Sequence, residues 1–431
     1  MSAFTANIFN FIENKITPVA GKAASQRHVM AMRDGFISAM PFMIVGSFLL
    51  VFVFPPFSAD TQIGFAQAWL QISSEYQAEF LTPFNMTMGI MSIYITAAIS
   101  YNLAQSYKME PFMPAMLSLM SFLLISAPLT DGALPAGFLG GTGIFTAVLV
   151  SFYCTELVHF LKRKNIGIKL PDQVPAKIKE SFDLLIPILL IVVTLYPVNL
   201  LIHSQTGMLI PDAIMTAFKP LVSAADSLPA ILLAVLLTHI LWFAGIHGAA
   251  IVGGMLQAFW LTNLTANQAA LAAGDALPHV FMEGFWSFFI VLGGSGATLG
   301  LVFLFMRSRA VHLRAIGKLS VVPSLFNINE PVIFGTPIIM NPTFFIPFIT
   351  APVVNAVIAY MCVKTGLVGA VISVVPWTSP APIGAAWAAG WALSSALLVF
   401  VLMAVATLIY YPFFKMYEKE LLKQEAQTEE K

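Results

Sequence analysis

Long apolar stretches separated by short polar connections repeat along the whole chain. Segments 36–59, 184–202 and 341–362, for example, contain almost no charged side chains. An α-helix crosses a ~30 Å hydrocarbon core in about 20 such residues, whereas a transmembrane β-barrel would show short segments of alternating polarity. The pattern therefore predicts an all-α polytopic membrane protein.

The polar breaks between these stretches predict about ten transmembrane helices. We expect them near 35–54, 82–104, 112–128, 138–161, 181–202, 229–244, 249–262, 281–306, 344–363 and 391–412. Two further apolar regions, near 319–340 and 366–390, are interrupted by Pro, Gly, Asn and Ser. Broken backbone at membrane depth is tolerated only inside protein or beside a wet cavity. These regions are therefore expected to be two re-entrant hairpins, the alternative being ordinary kinked crossings.

Composition supports a membrane protein and removes several other classes. Hydrophobic residues make up 58% of the chain and charged residues 10%, against roughly a quarter charged in soluble domains. The net charge of zero gives no bulk attraction to nucleic acid. The two cysteines lie in apolar spans without a His/Cys cluster, so we expect no metal and no organic cofactor. The N-terminal segment lacks the pattern of a cleavable signal peptide.

The distribution of Lys and Arg predicts the orientation in the membrane. If both termini are cytoplasmic, 19 of the 21 basic residues fall on the inner side, as the positive-inside rule requires. The longest inner connection, 156–180, is also the most polar. It predicts an N-terminal part over 1–180 and a C-terminal part over 181–431 that contains both interrupted regions.

The stretch "NINEPVIFG", 327–335, holds the most informative acidic residue. A carboxylate such as Glu330 within an apolar region is a functional candidate, because it is expensive unless it faces a cavity or a partner. Asn327 and Asn329 beside it can donate and accept hydrogen bonds, as sugar hydroxyls require. The alternative is that Glu330 lies at the cytoplasmic interface and caps a helix.

A histidine and several aromatic residues near the other breaks are further candidates. His247 lies in "WFAGIHGAA", between glycines that allow close approach of another group; the alternative is a packing histidine, the role we expect for His239. Trp242 and Trp377 can stack on sugar rings, although a membrane tryptophan more often packs or lies at the interface. Asn85, in "TPFNMTMG", is a polar candidate of low specificity.

The run "GGSGATLG", 293–300, does not predict a phosphate-binding loop, because no GK[ST] follows and no strand precedes it. Small residues in a membrane helix more often permit close helix packing, and the run is interpreted in that way. The role of Glu283, before this span, stays open.

Five segments in order along the chain resemble one family. They are "LPDQVPAKIKESFDLLIP" (170–187), "WFAGIHG" (242–248), "GGSGATLGL" (293–301), "NINEPVIFGTPIIMNP" (327–342) and "PWTSPAPIG" (376–384). Together they resemble the sugar-translocating subunit, enzyme IIC, of the bacterial phosphotransferase system. Within that system the chain is similar to the lactose/cellobiose/diacetylchitobiose subfamily.

The resemblance implies a homodimer in the bacterial cytoplasmic membrane, with the N-terminal part dimerising and the C-terminal part holding a β-linked disaccharide. It assigns His247 and Glu330 to the hydroxyl that becomes phosphorylated. Our hypothesis is that Glu330 polarises this hydroxyl, with general base as one possible role, and that His247 orients it or stabilises the incoming phosphoryl group; which of the two is the base stays open. Asn327, Asn329, Trp242, Trp377 and Asn85 are the expected sugar contacts.

The phosphoryl group would come from a cysteine of enzyme IIB, which is charged through IIA, HPr and enzyme I. We expect these partners to be separate polypeptides, so that the chain acts as the membrane subunit of a phosphotransferase complex and not as an enzyme alone.

Three rival interpretations of the sequence remain. The first is a proton-coupled sugar transporter that uses Glu330 and His247 as proton carriers. An intramembrane enzyme would need a nucleophile–base pair near His247, and none stands out in the sequence. A sensor or scaffold would not need a buried acidic residue beside two broken segments.

Overall fold

The computed structural model describes residues 18, 22, 25–55, 57, 60–168, 171, 173–175, 182, 184–336, 338 and 341–429. These residues form helices and irregular connections, with one isolated β-bridge between Thr130 and Ala133. The helices described before residue 245 are α1 (Arg27–Val53), α2 (Gly64–Glu75), α3 (Gln77–Asn85), α4 (Met91–Ser106), α5 (Phe112–Ser126), α6 (Ile144–Arg163), α7 (Leu185–Thr206), α8 (Ile210–Ala225) and α9 (Leu228–Phe243).

The two interrupted regions lie among the helices that follow residue 245. They are α10 (Gly248–Ala273), α11 (Leu299–Met306), α12 (Val311–Leu325), α13 (Glu330–Gly335), α14 (Pro342–Lys364), α15 (Ala381–Ala388) and α16 (Leu393–Glu429). Between α10 and α11 lie a single turn, Glu283–Phe285, and a π-helix, Trp286–Ile290.

Six of the described helices are long and apolar enough to cross a membrane. The number rises to eight if each of two bent pairs is one span, α3 with Met88–Ser106 and α8 with α9. The all-α polytopic membrane class is therefore confirmed. The count of ten crossings stays a prediction.

Small hydroxyl side chains hold the helices of the N-terminal half close together. The Ser118 hydroxyl donates to Ser100 Oγ at 2.9 Å, and Ser100 Oγ lies 2.8 Å from Thr155 Oγ1, so that α4, α5 and α6 share one buried chain of hydrogen bonds. Such residues let membrane helices approach closely, since apolar packing alone gives little advantage over lipid. Helix α1 packs along α4 and also against α10, which links the N-terminal half to the C-terminal half.

Helix α8 was not among the predicted elements. It is amphipathic, and it ends at a bend of 76° to α9. Asp226, at this bend, accepts hydrogen bonds from the backbone N–H groups of Val280 and Phe281 at 3.0 and 2.6 Å. The bend is therefore fixed to the segment that precedes the π-helix.

The predicted crossing at 281–306 is interrupted in the structure. Residues 291–298 form turns, with positive φ at Gly293, Gly294, Gly296 and Ala297. The interpretation of "GGSGATLG" as helix-packing glycines is therefore wrong for 293–298 and right for Gly300, which lies in α11 packed against Thr407 of α16. The glycines are needed because the backbone enters the left-handed region and other groups approach it closely.

The two regions with interrupting Pro, Gly and Asn are broken as expected. A turn at 326–329 separates α12 from α13, and residues 366–380 are non-helical before α15. Residues 337, 339 and 340 of the first region lie outside the described residues, as does much of 169–183, where the predicted boundary between the two parts falls. That the regions are re-entrant, and that the chain divides at 180, stay predictions.

Candidate functional site

Asn327 ties three broken segments together. Its backbone has a φ of 61°, a left-handed conformation that Asn tolerates better than most residues. Its Oδ1 accepts the Gly293 N–H at 2.9 Å, while its Nδ2 donates to the carbonyls of Trp377 and Ser379 at 2.7 and 3.1 Å. The amide is thus committed to protein groups. Asn327 is therefore a structural tie beside the cavity, and a direct contact of its side chain with sugar stays a prediction.

Asn329 continues the same connection. Its Nδ2 donates to the Ser295 carbonyl at 2.6 Å and to Thr298 Oγ1 at 2.8 Å. Gly294 is packed so closely that a Cβ there would lie 2.3 Å from the Asn329 side chain. Asn329 Oδ1, which has no partner among the described residues, is the one amide atom left for a ligand.

Two buried side chains also hold residues 291–298, the glycine loop. The Gly296 N–H donates to His239 Nε2 at 2.9 Å, and His239 Nδ1 lies 2.7 Å from the Val235 carbonyl. An imidazole that accepts at Nε2 and donates at Nδ1 is neutral, so His239 has the packing role that was expected. The Tyr410 hydroxyl donates to the Gly296 carbonyl at 2.7 Å.

Gly294, Ser295, Asn327 and Asn329, from the two segments that these hydrogen bonds join, line a cavity of ≈ 380 Å³. Its volume lies within the usual range for small-molecule sites. Six of the seven predicted site residues line it: Trp242, His247, Asn327, Asn329, Glu330 and Trp377.

Asn85 does not line this cavity, so the structure does not bring it to the other predicted residues, and a sugar contact there stays a prediction. It is the last residue of α3, and its side chain is exposed.

His247 is held in place by the helix that it begins. It caps α10, and its Nδ1 accepts the Ala250 N–H at 3.1 Å. The ring lies against Trp242, with 4.4 Å between the ring centroids. Because Nδ1 is occupied as an acceptor, Nε2 carries the proton and is free to donate to a bound molecule.

Glu330 is the first residue of α13, at the turn that Asn327 and Asn329 fix. Its side chain is exposed, and it forms no hydrogen bond or ion pair within the part of the chain that the structure describes. The carboxylate forms no capping hydrogen bond there, although it lies in the first turn of α13, and a position at the cytoplasmic interface stays the alternative prediction. A free carboxylate and a free imidazole N–H that line the same cavity can accept a hydroxyl proton and orient the hydroxyl oxygen.

The cavity wall also contains residues that the sequence interpretation missed. Gln257 and Trp260 belong to α10, Glu283 begins the turn before the π-helix, and Arg33 lies on α1 with its guanidinium bound to Asp34 at 2.7 Å. A signal existed on α10, because His247, Ala250, Gly254, Gln257 and Trp260 recur at helical spacing on one face. Among the described residues, no group of three His, Cys, Asp or Glu side chains could hold a metal ion.

Comparison with known proteins identifies the family. The family model "Phosphotransferase system, EIIC" matches residues 33–352, more than half of the chain. The chain is 36% identical to the cellobiose-specific EIIC component of Geobacillus stearothermophilus, over 96% of this chain and 95% of that protein. It is 35% identical to the lactose-specific EIICB component of Staphylococcus aureus, over 95% of this chain and 72% of that protein.

A solved structure shows the same fold. The crystal structure of ChbC, the IIC component of the N,N'-diacetylchitobiose-specific phosphotransferase system, superposes with a TM-score of 0.89 at 35% identity. The match covers 96% of this chain and 99% of that one. The chain is therefore a multi-pass membrane protein that belongs to the EIIC family of the phosphotransferase system.

Proposed function

We propose that this protein imports a β-linked disaccharide and presents it for phosphorylation by a IIB protein. The relatives are named for cellobiose, lactose and diacetylchitobiose, and all three are disaccharides. The observation that carries the proposal is that one cavity contains both the Glu330 carboxylate and the His247 imidazole. Among the described residues, neither the carboxylate nor His247 Nε2 has a hydrogen-bond partner.

The chemistry follows from what the two free groups can do. Glu330 accepts the proton of the sugar C6 hydroxyl as its oxygen attacks the phosphorus atom of a phosphocysteine on IIB. The new O–P bond forms as the S–P bond breaks, and the cysteine leaves as a thiolate. His247 Nε2–H holds the hydroxyl oxygen in line. The product is anionic and does not cross the bilayer unaided.

The name of one relative supports IIB as the source of the phosphoryl group. The lactose-specific relative is named EIICB, which joins the two functions in one name. We propose that the corresponding B function reaches this chain as phospho-IIB, charged through IIA, HPr and enzyme I.

The assembly follows the same proposal. The protein is a homodimer in the bacterial cytoplasmic membrane, with both termini cytoplasmic. The part before residue 180 dimerises, and the part after it binds sugar.

Uptake into membrane vesicles tests this function against the proton-coupled alternative. Vesicles that contain the protein are given labelled cellobiose, lactose or diacetylchitobiose, with or without phosphoenolpyruvate and the soluble phosphotransferase proteins. Sugar 6-phosphate that accumulates only with those proteins supports group translocation. Free sugar whose accumulation is collapsed by a protonophore contradicts it and makes Glu330 and His247 proton carriers.

A further inference from the structure

A second, smaller cavity adjoins the candidate site where α1 and α10 begin. Its volume is ≈ 140 Å³, and three residues, Arg33, His247 and Ala250, line both this cavity and the larger one. Sites that hold whole ligands measure about 300–1,000 Å³. The second cavity therefore suits a small group of atoms and not a whole disaccharide.

Arg33 is the only Lys or Arg side chain, within the described ranges, that lines either cavity. Its stem lies against α10, since a Cβ added at Gly254 would be 3.3 Å from Arg33 Cβ and 3.4 Å from Arg33 Cγ. The packing of α1 on α10 thus holds the cation where the two cavities meet. Apart from Arg33 and His247, the walls of the second cavity are apolar: Val29, Met30, Ile246, Ala250 and Ile251.

Part of the Arg33 guanidinium is bound to its neighbour in the chain. Nε and Nη2 lie 2.8 and 2.7 Å from Asp34 Oδ1. A guanidinium has five N–H donors, and the other three have no partner among the described residues. The two side chains are 34% and 37% exposed, and ion pairs at such exposure contribute little to stability. The guanidinium is therefore available to an anion of higher charge that enters either cavity.

The proposed reaction needs a cation at this place. A phosphoryl group on a protein side chain carries close to two negative charges at neutral pH, and the carboxylates of Glu283 and Glu330 line the larger cavity. These carboxylates repel an arriving phosphoryl group. His247, which accepts at Nδ1, offers an N–H but no charge. Enzymes that transfer phosphoryl groups compensate such charge with Arg, Lys or Mg²⁺, and Arg33 is placed to do so here.

We propose that the second cavity is the entry site for the phosphocysteine of IIB and that Arg33 binds its phosphoryl group during transfer. This inference rests on the proposed function and adds a residue and a place to it. In the proposed orientation, the start of α1 lies on the cytoplasmic side, from which phospho-IIB arrives. Two guanidinium N–H groups donate to two phosphoryl oxygens in the fork geometry of Arg.

The transfer needs no further reactant. The sugar hydroxyl oxygen approaches from the larger cavity, and its new O–P bond forms as the S–P bond breaks. The hydroxyl proton passes to Glu330, and the cysteine leaves as a thiolate through the second cavity. Arg33 donates hydrogen bonds throughout and loses no proton.

Four substitutions on α1 separate the charge, its geometry and the ion pair. Arg33→Gln removes the charge, and Arg33→Lys keeps it as a point charge without the fork. Asp34→Asn removes the charge of the partner and leaves the guanidinium in place. Arg27→Gln is the matched control, since Arg27 begins the same helix and lies over the Tyr107 ring but lines neither cavity.

Phosphorylation by the full-length protein in vesicles is measured together with the affinity for sugar. Of cellobiose, lactose and diacetylchitobiose, the sugar with the highest kcat/KM is used, with saturating phospho-IIB. We expect kcat to fall at least 10²-fold in Arg33→Gln, since losing one group that stabilises a transition-state charge costs about 10²–10⁵-fold, and about tenfold in Arg33→Lys. The Kd for sugar stays within about twofold of wild type, because Arg33 contacts the phosphoryl group and not the sugar. Asp34→Asn and Arg27→Gln keep the wild-type kcat.

Filling the second cavity provides an independent variant. Val29 lines this cavity but not the larger one, so Val29→Phe reduces the space for the phosphocysteine while Arg33 stays. We expect phosphorylation to fall about tenfold or more, with the Kd for sugar and the unfolding temperature near wild type. A wild-type rate in Val29→Phe contradicts entry through this cavity.

The failures of the two proposals are distinguishable. If the wild-type protein phosphorylates the sugar and the kcat of Arg33→Gln is within about twofold of it, the phosphoryl site is overturned and the proposed function stands. An equal fall of kcat in Arg27→Gln or Asp34→Asn also overturns the site, because the loss then comes from overall charge or from the ion pair. If the wild-type protein phosphorylates none of the three sugars, the proposed function fails and this site fails with it.

Discussion

Replacing Asn327 by alanine tests whether the amide ties the three broken segments together. The substitution removes the bonds to Gly293, Trp377 and Ser379, which at about 1 kcal/mol net each amount to about 3 kcal/mol. Alanine at a φ of 61° adds about 1 kcal/mol of backbone strain. We therefore expect the free energy of unfolding to fall by about 4 kcal/mol.

A second variant separates the hydrogen bonds from the backbone strain, and a third serves as a control. Asn327→Gly recovers the backbone term of about 1 kcal/mol but not the hydrogen bonds. Asn102→Ala is the matched control, since the Asn102 amide donates only to the Ala98 carbonyl of its own helix, at 2.8 Å. That variant is expected to lose no more than about 1 kcal/mol.

The assay is thermal unfolding of the detergent-solubilised protein, followed by sugar binding on the same samples. If Asn327 is a tie that shapes the site, Asn327→Ala lowers both the unfolding temperature and the affinity for sugar. If Asn327→Ala unfolds at the wild-type temperature but binds sugar weakly, Asn327 is a direct sugar ligand and not a structural tie.

Two further substitutions test the support of the glycine loop. Gly294→Ala places a Cβ 2.3 Å from the Asn329 side chain at a φ of 101°; phosphorylation is expected to fall by more than tenfold, while Gly64→Ala, which has open space around it, keeps wild-type activity. Tyr410→Phe removes the hydrogen bond to the Gly296 carbonyl and should lower the free energy of unfolding by about 1–3 kcal/mol, as measured by thermal melts. An equal loss in Tyr411→Phe, at an exposed tyrosine, would contradict this explanation.

The helical class and the positions of most apolar helices could be predicted from the sequence, because long uncharged runs have few alternatives in a bilayer. The break at 291–298 could not. Glycines suit both close helix packing and left-handed turns, and the choice between them depends on Asn327 and His239, which lie far away in the chain.

The residues of the candidate site also divide into those that the sequence predicts and those that only the fold reveals. Glu330 and His247 stood out because titratable side chains are rare in apolar segments. Glu283 lies in an equally apolar context, but the sequence assigns it no role, because only the fold brings it to Gln257 and the cavity. Asn85 is as polar as Asn327 and Asn329, yet it lies at an exposed helix end.

Sugar phosphate formation by Glu330→Gln tests whether this carboxylate is the general base. The substitution keeps the size of the side chain and removes the proton acceptor, and Glu330 has no partner among the described residues whose loss would destabilise the protein. With phospho-IIB supplied, we predict that phosphorylation falls by at least 10²-fold, the usual contribution of a general base, while unfolding temperature and sugar binding stay near wild type. Glu79→Gln should phosphorylate normally. Wild-type phosphorylation by Glu330→Gln would show that another group accepts the hydroxyl proton.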